Sequence, residues 1–367
     1  MNIAMFGQKH VLSREGGVEI VVNELATRMV ARGHAVTCFD RRTRHVAGSE
    51  LDKRVEYKGV KIKSVWTLDK KGLAAMTSSF AAAWKAAWGK YDVVHIHAEG
   101  PAAMCWLPRL TQKRVVVTIH GLDWQRAKWG GFATKYIKYG EKQAVKRAHE
   151  IIVLSRSVQD YFKSVYDRDT VFIPNGVNYP ELLSANEINK LWGLEKDGYV
   201  LFLGRIVPEK GLRYLVEAWK SIHTDKKLVI TGGSSDTEEF MNELKSLAGE
   251  NVVFTGFQQG KVLEELFSNA YIYTLPSDLE GMPLSLLEAM SYGNCCVVSD
   301  IPECTEVVED KAVVFPKGNT EALTNTLQHL LDSPQTVRRY KDGAADFITR
   351  KYNWDDVVEK TLELYKT

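Results

Sequence analysis

The amino-acid sequence predicts an α/β protein made of two doubly wound parallel-sheet domains in tandem, facing a central cleft. Three observations support this. The 367 residues suit two domains of ordinary size, each with its own core. Short apolar, β-branched runs recur without polar alternation, as in strands buried on both faces of a parallel sheet. Between them lie segments with helical apolar spacing, and strand–helix alternation of this kind implies parallel crossover units.

The first half opens with NIAMFG as a strand. The loop QKHVLSREGG follows, then a helix with Val18, Val21, Val22, Leu25, Met29 and Val30 in register, stopped by Gly33. AVTCF, DVVHIH, VVVTIH and EIIVLS are the next strands. The segment IPNGVNYPELLS (173–184) breaks the pattern with two prolines and a glycine, so it closes the first domain and begins a linker. A second alternation runs through YVLFLGR, KLVITGG, VVFTGF, AYIYTLPS and CCVVSD, with GLRYLVEAWKSI and VLEELFSNA among its helices. WDDVVEKTLELYKT closes the chain as a helix with Val357, Val358, Leu362 and Leu364 apolar. The expected domains are 1–176, 177–352 and a terminal helix, 353–367.

With 45% hydrophobic and 26% charged residues, the composition is that of an ordinary soluble globular protein. No apolar run reaches membrane-spanning length, and MNIAMFGQ reads as a strand rather than a signal peptide. Cys38, Cys105, Cys295, Cys296 and Cys304 are odd in number and lack metal-ligand spacing, which suits buried thiols in a reducing cytoplasm. The net charge of +2 conceals an asymmetry. Residues 1–180 carry 29 Lys and Arg against 16 Asp and Glu, a net +13, so the remainder carries −11. A basic half predicts an anionic partner for that half. Nucleic acid is disfavoured by the acidic second half and by the absence of any recognition motif.

Residues 280–288, EGMPLSLLE, are the most informative stretch. Glu280 precedes a Gly-Met-Pro turn and Glu288 lies inside the helix that follows, so the two carboxylates flank a loop-to-helix transition. The amides of Gly281, Met282 and Leu284 at that helix start suit an anion. Taken alone, the stretch also reads as an ordinary helix start with a solvated acid. Gly16-Gly17 precede the first helix and permit close approach to a phosphate, or simply a tight turn. Their spacing is not the dinucleotide fingerprint G-x-G-x-x-G. In GRIVPEKG (204–211), Arg205 and Lys210 follow a strand end, where open α/β sheets bind ligands. There they can neutralise a diphosphate or remain surface cations.

TIHGLDW places His120 at a strand's carboxyl end, as a donor to a sugar hydroxyl or as a core histidine, with Asp123 a lesser candidate. His95 and His97 alternate along DVVHIH, one expected toward the core and the other toward the cleft, with no metal role. Lys135, Lys138, Lys142 and Lys146 form a helical stripe among Trp129, Phe132, Tyr136 and Tyr139. This makes residues 126–147 a membrane-surface element or a solvated charged face. In LAAMTSSFAAAWKAAW (73–88), the small residues and tryptophans read as helix–sheet packing, with a contribution to a membrane face as the alternative.

Together these pieces resemble the family 4 retaining glycosyltransferases of the GT-B fold, over nearly the whole chain. The family's E-x7-E appears as Glu280 and Glu288 followed by AMSYG, its phosphate-binding pair as Arg205 and Lys210, its glycine loop as Gly16-Gly17 and its sugar-side histidine as His120. IPNGV resembles the interdomain junction, and the helix after YNW resembles the segment that crosses back to the first domain. The sequence departs at Cys295, where the family usually has proline.

The resemblance implies two Rossmann-like domains, with a nucleotide-sugar donor on the second and the acceptor on the first. Arg205 and Lys210 would stabilise the departing diphosphate, Glu280 hold sugar hydroxyls and Glu288 the ribose. Gly17 with the turn Gly281, Met282, Pro283 and Leu284 would hold the phosphates, and Phe257 and Leu263 would pack on the base. No cofactor and no metal is implied. UDP is the default nucleotide, with GDP and dTDP open. HGLDWQRAKWGG is similar to bacterial enzymes that extend polysaccharide repeat units on lipid carriers. This implies a glycan or lipid-linked acceptor and a cytoplasmic protein peripheral to the inner face of the plasma membrane. The rival readings are a sugar-nucleotide epimerase of the same architecture and a non-catalytic nucleotide-sugar-binding protein.

Overall fold

The computed structural model describes residues 1–43, 54–70, 72–125, 130–233 and 238–366. The elements begin β1 (Asn2–Phe6), α1 (Gly17–Ala31), β2 (Ala35–Arg41), β3 (Glu56–Tyr57), β4 (Val60–Val65), α2 (Leu73–Trp88) and β5 (Val93–His97). Next come α3 (Glu99–Ala102), α4 (Trp106–Leu110), β6 (Arg114–Ile119), α5 (Gly131–Arg147), β7 (Glu150–Val153), α6 (Arg156–Tyr166) and β8 (Val171–Phe172). The chain continues through α7 (Glu187–Trp192), β9 (Tyr199–Leu203), α8 (Leu212–Trp219), β10 (Lys227–Thr231), α9 (Glu238–Leu247), β11 (Val252–Gly256) and α10 (Lys261–Asn269). It ends with β12 (Ile272–Leu275), α11 (Leu284–Ser291), β13 (Cys295–Ser299), α12 (Pro302–Val308), β14 (Val313–Phe315), α13 (Thr320–Asp332), α14 (Pro334–Lys341), α15 (Ala344–Lys351) and α16 (Trp354–Lys366). Two compact units result, Met1–Asn175 with Trp354–Thr367, and Gly176–Asn353.

In the first unit an eight-stranded sheet has the order β3-β4-β2-β1-β5-β6-β7-β8, parallel throughout except at β3–β4. The chain runs outward from β1 to one side and then returns to the other, so the order reverses between β1 and β5. Right-handed crossovers then place α1 on one face of the sheet and α2 to α6 on the other. β5 is buried along its whole length, as its apolar run requires. α16 packs against α1. Arg32 lies 2.8 Å from Asp355, and Arg114 Nε donates to the Leu364 carbonyl at 2.6 Å. Its buried stripe is Trp354, Val357, Val358, Thr361, Leu362 and Tyr365. Leu364 is only half-buried, because a 3.6-residue period from Thr361 favours Tyr365.

On α2 the expectation of helix–sheet packing holds for the small residues and fails for the aromatics. Ser78, Ser79, Ala82, Ala83, Ala86 and Ala87 are buried, whereas Phe80, Trp84 and Trp88 face outward. Alanines let the helix approach the sheet closely, and the large rings, a third of a turn away, are left on the other side.

The second unit is a six-stranded all-parallel sheet of order β11-β10-β9-β12-β13-β14, with its reversal between β9 and β12. Buried Glu265 on α10 fixes the segment entering this unit. Its Oε2 accepts the amides of Asn186, Glu187 and Ile188 at 3.0, 2.7 and 3.1 Å, meeting the orphan donors at the start of α7. All five cysteines are free and buried, and burial raises the Cys295 thiol to about 12.

Candidate active site

In an open α/β sheet the strand order reverses at one place, and loops leaving the carboxyl ends of the two strands there diverge to leave a crevice. In the second unit those strands are β9 and β12, and Arg205, Lys210 and Glu280 sit on the loops that follow them. Gly204 and half-buried Arg205 follow β9, and the one-turn helix Pro208–Lys210 ends on Lys210. After β12 the chain runs through Pro276 and Ser277 to Glu280. Lys210 Nζ lies 2.5 Å from Glu280 Oε1, with the two side chains 12% and 8% exposed. Ser277 Oγ donates to the same oxygen at 2.6 Å.

The backbone enforces this meeting. Gly211 has φ +68°, and a Cβ there would lie 1.9 Å from the Pro276 carbonyl oxygen, so only glycine lets the two loops pack this closely. The Asp278 amide donates to the Glu209 carbonyl at 2.9 Å, and Tyr214 Oη donates to Asp278 at 3.1 Å. Beyond Glu280, Gly281 and Met282 lead to Pro283 at the N-cap of α11, whose first residue is Leu284. First-turn amides of such a helix point outward along its axis, toward an anion. Buried Tyr273 holds the helix start by donating to Ser285 Oγ at 2.8 Å. Glu288 lies one turn further along α11, half-buried. Phe257 follows β11 half-buried, and Leu263 is buried on α10.

In the first unit the reversal falls between β1 and β5. Gly16 caps α1 and Gly17 is its first residue, one position inside the helix that both were expected to precede. The carboxylate of Glu19 turns back to this helix start and accepts the Lys9 amide at 2.8 Å. His120 follows β6, 3.1 Å from His97 Nδ1 through its Nε2. The expectation that His95 and His97 point to different faces is corrected. Side chains alternate with a period of two, so residues 95 and 97 share a face, and their ring centroids are 4.2 Å apart. Both rings are fully buried. Burial, reinforced by neighbouring histidine charge, holds the His95 pKa down at about 3 and lowers that of His97 well below the usual range. Both are therefore neutral near pH 7. His95 bridges Tyr365 Oη at 2.6 Å and Thr118 Oγ1 at 2.7 Å, joining α16 to the sheet beneath His120.

The loop carrying His120 has a second support that the sequence analysis missed. Glu99, fully buried, accepts the Asp123 amide at 2.7 Å. Glu141 on α5 accepts from Trp124 Nε1 at 3.2 Å, from Tyr161 Oη at 3.0 Å and from Tyr166 Oη. Burial raises the Glu99 pKa well above the carboxylate range, and the charges of Asp123 and Glu141 raise it further. Gly140 makes the α3–α5 contact possible, since a Cβ there would lie 1.9 Å from the Glu99 carbonyl oxygen. The available signal was Glu99 just past the strand carrying His95 and His97. Asp123, the weaker candidate, contributes its amide to this bracket.

On α5, Lys135, Lys138, Lys142 and Lys146 are all exposed, and Phe132 and Tyr139 are exposed with them. Lys138 Nζ lies over the Trp124 ring at 4.1 Å. Residues 126–129, including Trp129, lie outside the described residues. No helix among the described residues is long and apolar enough to cross a membrane, and none of their His, Cys, Asp and Glu side chains form a group suited to a metal ion.

Comparison with known proteins agrees with this architecture. Residues 15–179 match glycosyltransferase family 4 and residues 185–347 match the glycosyl transferases group 1. A phosphatidyl-myo-inositol mannosyltransferase of Mycobacterium leprae is 30% identical over 76% of this chain and 74% of its own. Among solved structures, sucrose-phosphate synthase from Thermosynechococcus elongatus superposes with a TM-score of 0.85 at 21% identity, over 100% of this chain and 98% of that one. HepE of Anabaena, in complex with UDP and glucose, gives a TM-score of 0.82 at 16% identity, over 99% and 98%. The fold is GT-B, and the chain belongs to the family 4 glycosyltransferases, enzymes that transfer a sugar.

Proposed function

We propose that this glycosyltransferase moves a hexose from a UDP-sugar, with retention at the anomeric carbon, to a lipid-linked glycan in cell-surface polysaccharide synthesis at the cytoplasmic face of the membrane. The observation that carries the donor assignment is the Lys210–Glu280 pair at the β9–β12 reversal. An ammonium has three donors and Glu280 takes one, which leaves donors for phosphoryl oxygens. Arg205 adds a planar fork to the same diphosphate. Glu280 holds sugar hydroxyls and Glu288 the ribose diol. The turn 281–284 holds phosphate, and Phe257 and Leu263 pack on the base. HepE, a protein of the same fold, holds UDP and glucose, which supports UDP here. A relative whose name specifies a phosphatidyl-myo-inositol acceptor supports a lipid-bearing acceptor.

In the proposed reaction the bond from the anomeric carbon to the diphosphate oxygen breaks, and the acceptor oxygen bonds to that carbon on the same face. The acceptor proton passes to the departing phosphate oxygen. The protein supplies position and cationic charge, and the reaction requires neither a dedicated base nor a divalent metal. His120 donates to a sugar hydroxyl. The basic stretch 126–147 holds the first unit at anionic lipid.

Thermal-shift titration with UDP, GDP, dTDP and their sugars identifies the donor, since a ligand of the native state raises the melting temperature. Proton NMR of the product reads its anomeric configuration. Arg205→Ala should lower turnover about a hundredfold with the fold intact. An inverted product, or a wild-type rate in Arg205→Ala, would refute the mechanism, and conversion of the donor sugar without any acceptor would favour an epimerase.

A further inference from the structure

α2 carries a row of large aromatic side chains on the face it turns away from the sheet. Phe80, Trp84 and Trp88 are 43%, 51% and 57% exposed, at spacings of four residues. Four residues is close to one helical turn, so the three form a single stripe about 12 Å long. The rings are ordered with respect to one another. Phe80 and Trp84 centroids lie 6.2 Å apart, and Trp84 and Trp88 stack at 4.1 Å. Leu110, on α4 packed against α2, is also exposed, as are Trp66 and Leu68 before α2. Scattered exposed apolar residues need no explanation, but a continuous aromatic row of this size marks an interaction site.

Its charge selects the occupant. α2 contains no Asp or Glu, and Lys85 on the helix is exposed, with Lys61, Lys63, Lys70 and Lys90 exposed on neighbouring segments. Residues 54–125 as a whole carry 11 Lys and Arg against 5 Asp and Glu. Two copies of such a face would repel each other. A surface that is negative outside and apolar a few ångströms in would accept both the lysines and the rings, because tryptophan settles at the headgroup level of a bilayer. α2 and α5 lie on the same side of the sheet, so the lysines of α5 can engage the same plane.

We infer that α2 is the membrane-inserting element of the first unit, with Phe80, Trp84 and Trp88 seated at the headgroup level of an anionic phospholipid bilayer and the neighbouring lysines on its phosphates. This deepens the membrane part of the proposed function and rests on it. It gives the rings of α2 the anchoring role and the lysines of α5 a supporting, salt-sensitive one.

The test is co-sedimentation of the full chain with vesicles of phosphatidylglycerol and phosphatidylcholine, comparing wild type, Trp84→Ser/Trp88→Ser and Lys138→Glu/Lys142→Glu. Both tryptophans are outward-facing, so their replacement leaves the packed alanine face intact, which circular dichroism verifies. The tryptophan variant is expected to bind at least tenfold more weakly at low and at high salt, and the lysine variant more weakly only at low salt. Transfer to a soluble acceptor analogue should be unchanged in both, which keeps a failure of membrane docking separate from a failure of the glycosyltransferase assignment. Wild-type affinity in the tryptophan variant would overturn the role of α2 while leaving docking through α5 intact. Absence of wild-type binding to any anionic vesicle would overturn both. A wild-type dimer that becomes monomeric in the tryptophan variant would assign the stripe to a second copy instead.

Discussion

Replacing Lys210 by methionine tests the site in two ways. Lys210 Nζ lies 2.5 Å from Glu280 Oε1, in side chains only 12% and 8% exposed, and Ser277 Oγ also donates to that oxygen. At an effective dielectric of about 20 the gross attraction at this separation is about 6–7 kcal/mol, offset by several kcal/mol of desolvation for each ion. The pair is therefore close to neutral in net stability, but removing one partner strands the other. Losing Lys210 leaves a nearly closed carboxylate without its cation, at a cost of about 3 kcal/mol, the low end for a broken buried pair because the site keeps some solvent access. Lys210→Met/Glu280→Gln removes both charges and should recover stability to within about 1 kcal/mol of wild type. Turnover should behave differently, falling about a hundredfold or more in Lys210→Met and staying low in the double variant, because the diphosphate still lacks its cation. Differential scanning calorimetry reads the first effect on the transition that UDP shifts, and a donor-consumption assay reads the second. A double variant as unstable as Lys210→Met would show that the loss is not one of pairing. A double variant with restored turnover would remove Lys210 from the reaction.

Four further outcomes follow from the same geometry. Glu288→Ala should weaken calorimetric binding of free UDP, whereas Glu280→Ala should spare the bare nucleotide and weaken the sugar-nucleotide; equal loss of UDP in both would contradict the division of roles. Transfer should persist in EDTA, and activity abolished by chelation and restored by manganese would refute a metal-free site. Burial and the neighbouring Asp123 and Glu141 raise the Glu99 pKa, so the native state holds this proton more tightly than the unfolded chain; stability from Glu99 is therefore complete below the ordinary glutamate range and lost as pH rises through the raised value. Glu99→Gln, which keeps an acceptor for the Asp123 amide, should flatten the fall of melting temperature as pH rises above the ordinary glutamate range, and an unchanged slope would place the titration elsewhere. Glu265→Ala, which strands three amides at the start of α7, should cost about 2–4 kcal/mol by denaturant unfolding, with a loss below about 0.5 kcal/mol counting against the cap.

Most of the fold could be read from the chain because parallel strands buried on both faces leave continuous apolar runs, and glycines and prolines punctuate them. What the chain does not display is which strands become neighbours. Lys210 and Glu280 are 70 residues apart and meet only because β9 and β12 adjoin at the reversal of strand order. Each was recognisable as a charged residue at a strand end, but their pairing depends on topology and on the close approach that Gly211 permits. The same holds for Glu99 and Glu141, whose bracket around the His120 loop is assembled from α3, α5 and α6. The two errors of periodicity are of another kind, because the information was present. Residues two apart on a strand share a face, which put His95 and His97 together. On α2 the alanines at 82, 83, 86 and 87 and the rings at 80, 84 and 88 are two separate helical stripes. Only one of them can face a sheet, and close packing favours the small side chains. An α/β domain buries its sheet under such small-residue faces, so the large aromatics left on the opposite stripe are exposed by the packing itself. On the proposed reading, the complement of this aromatic row on a basic domain is a surface that is anionic at its edge and apolar beneath.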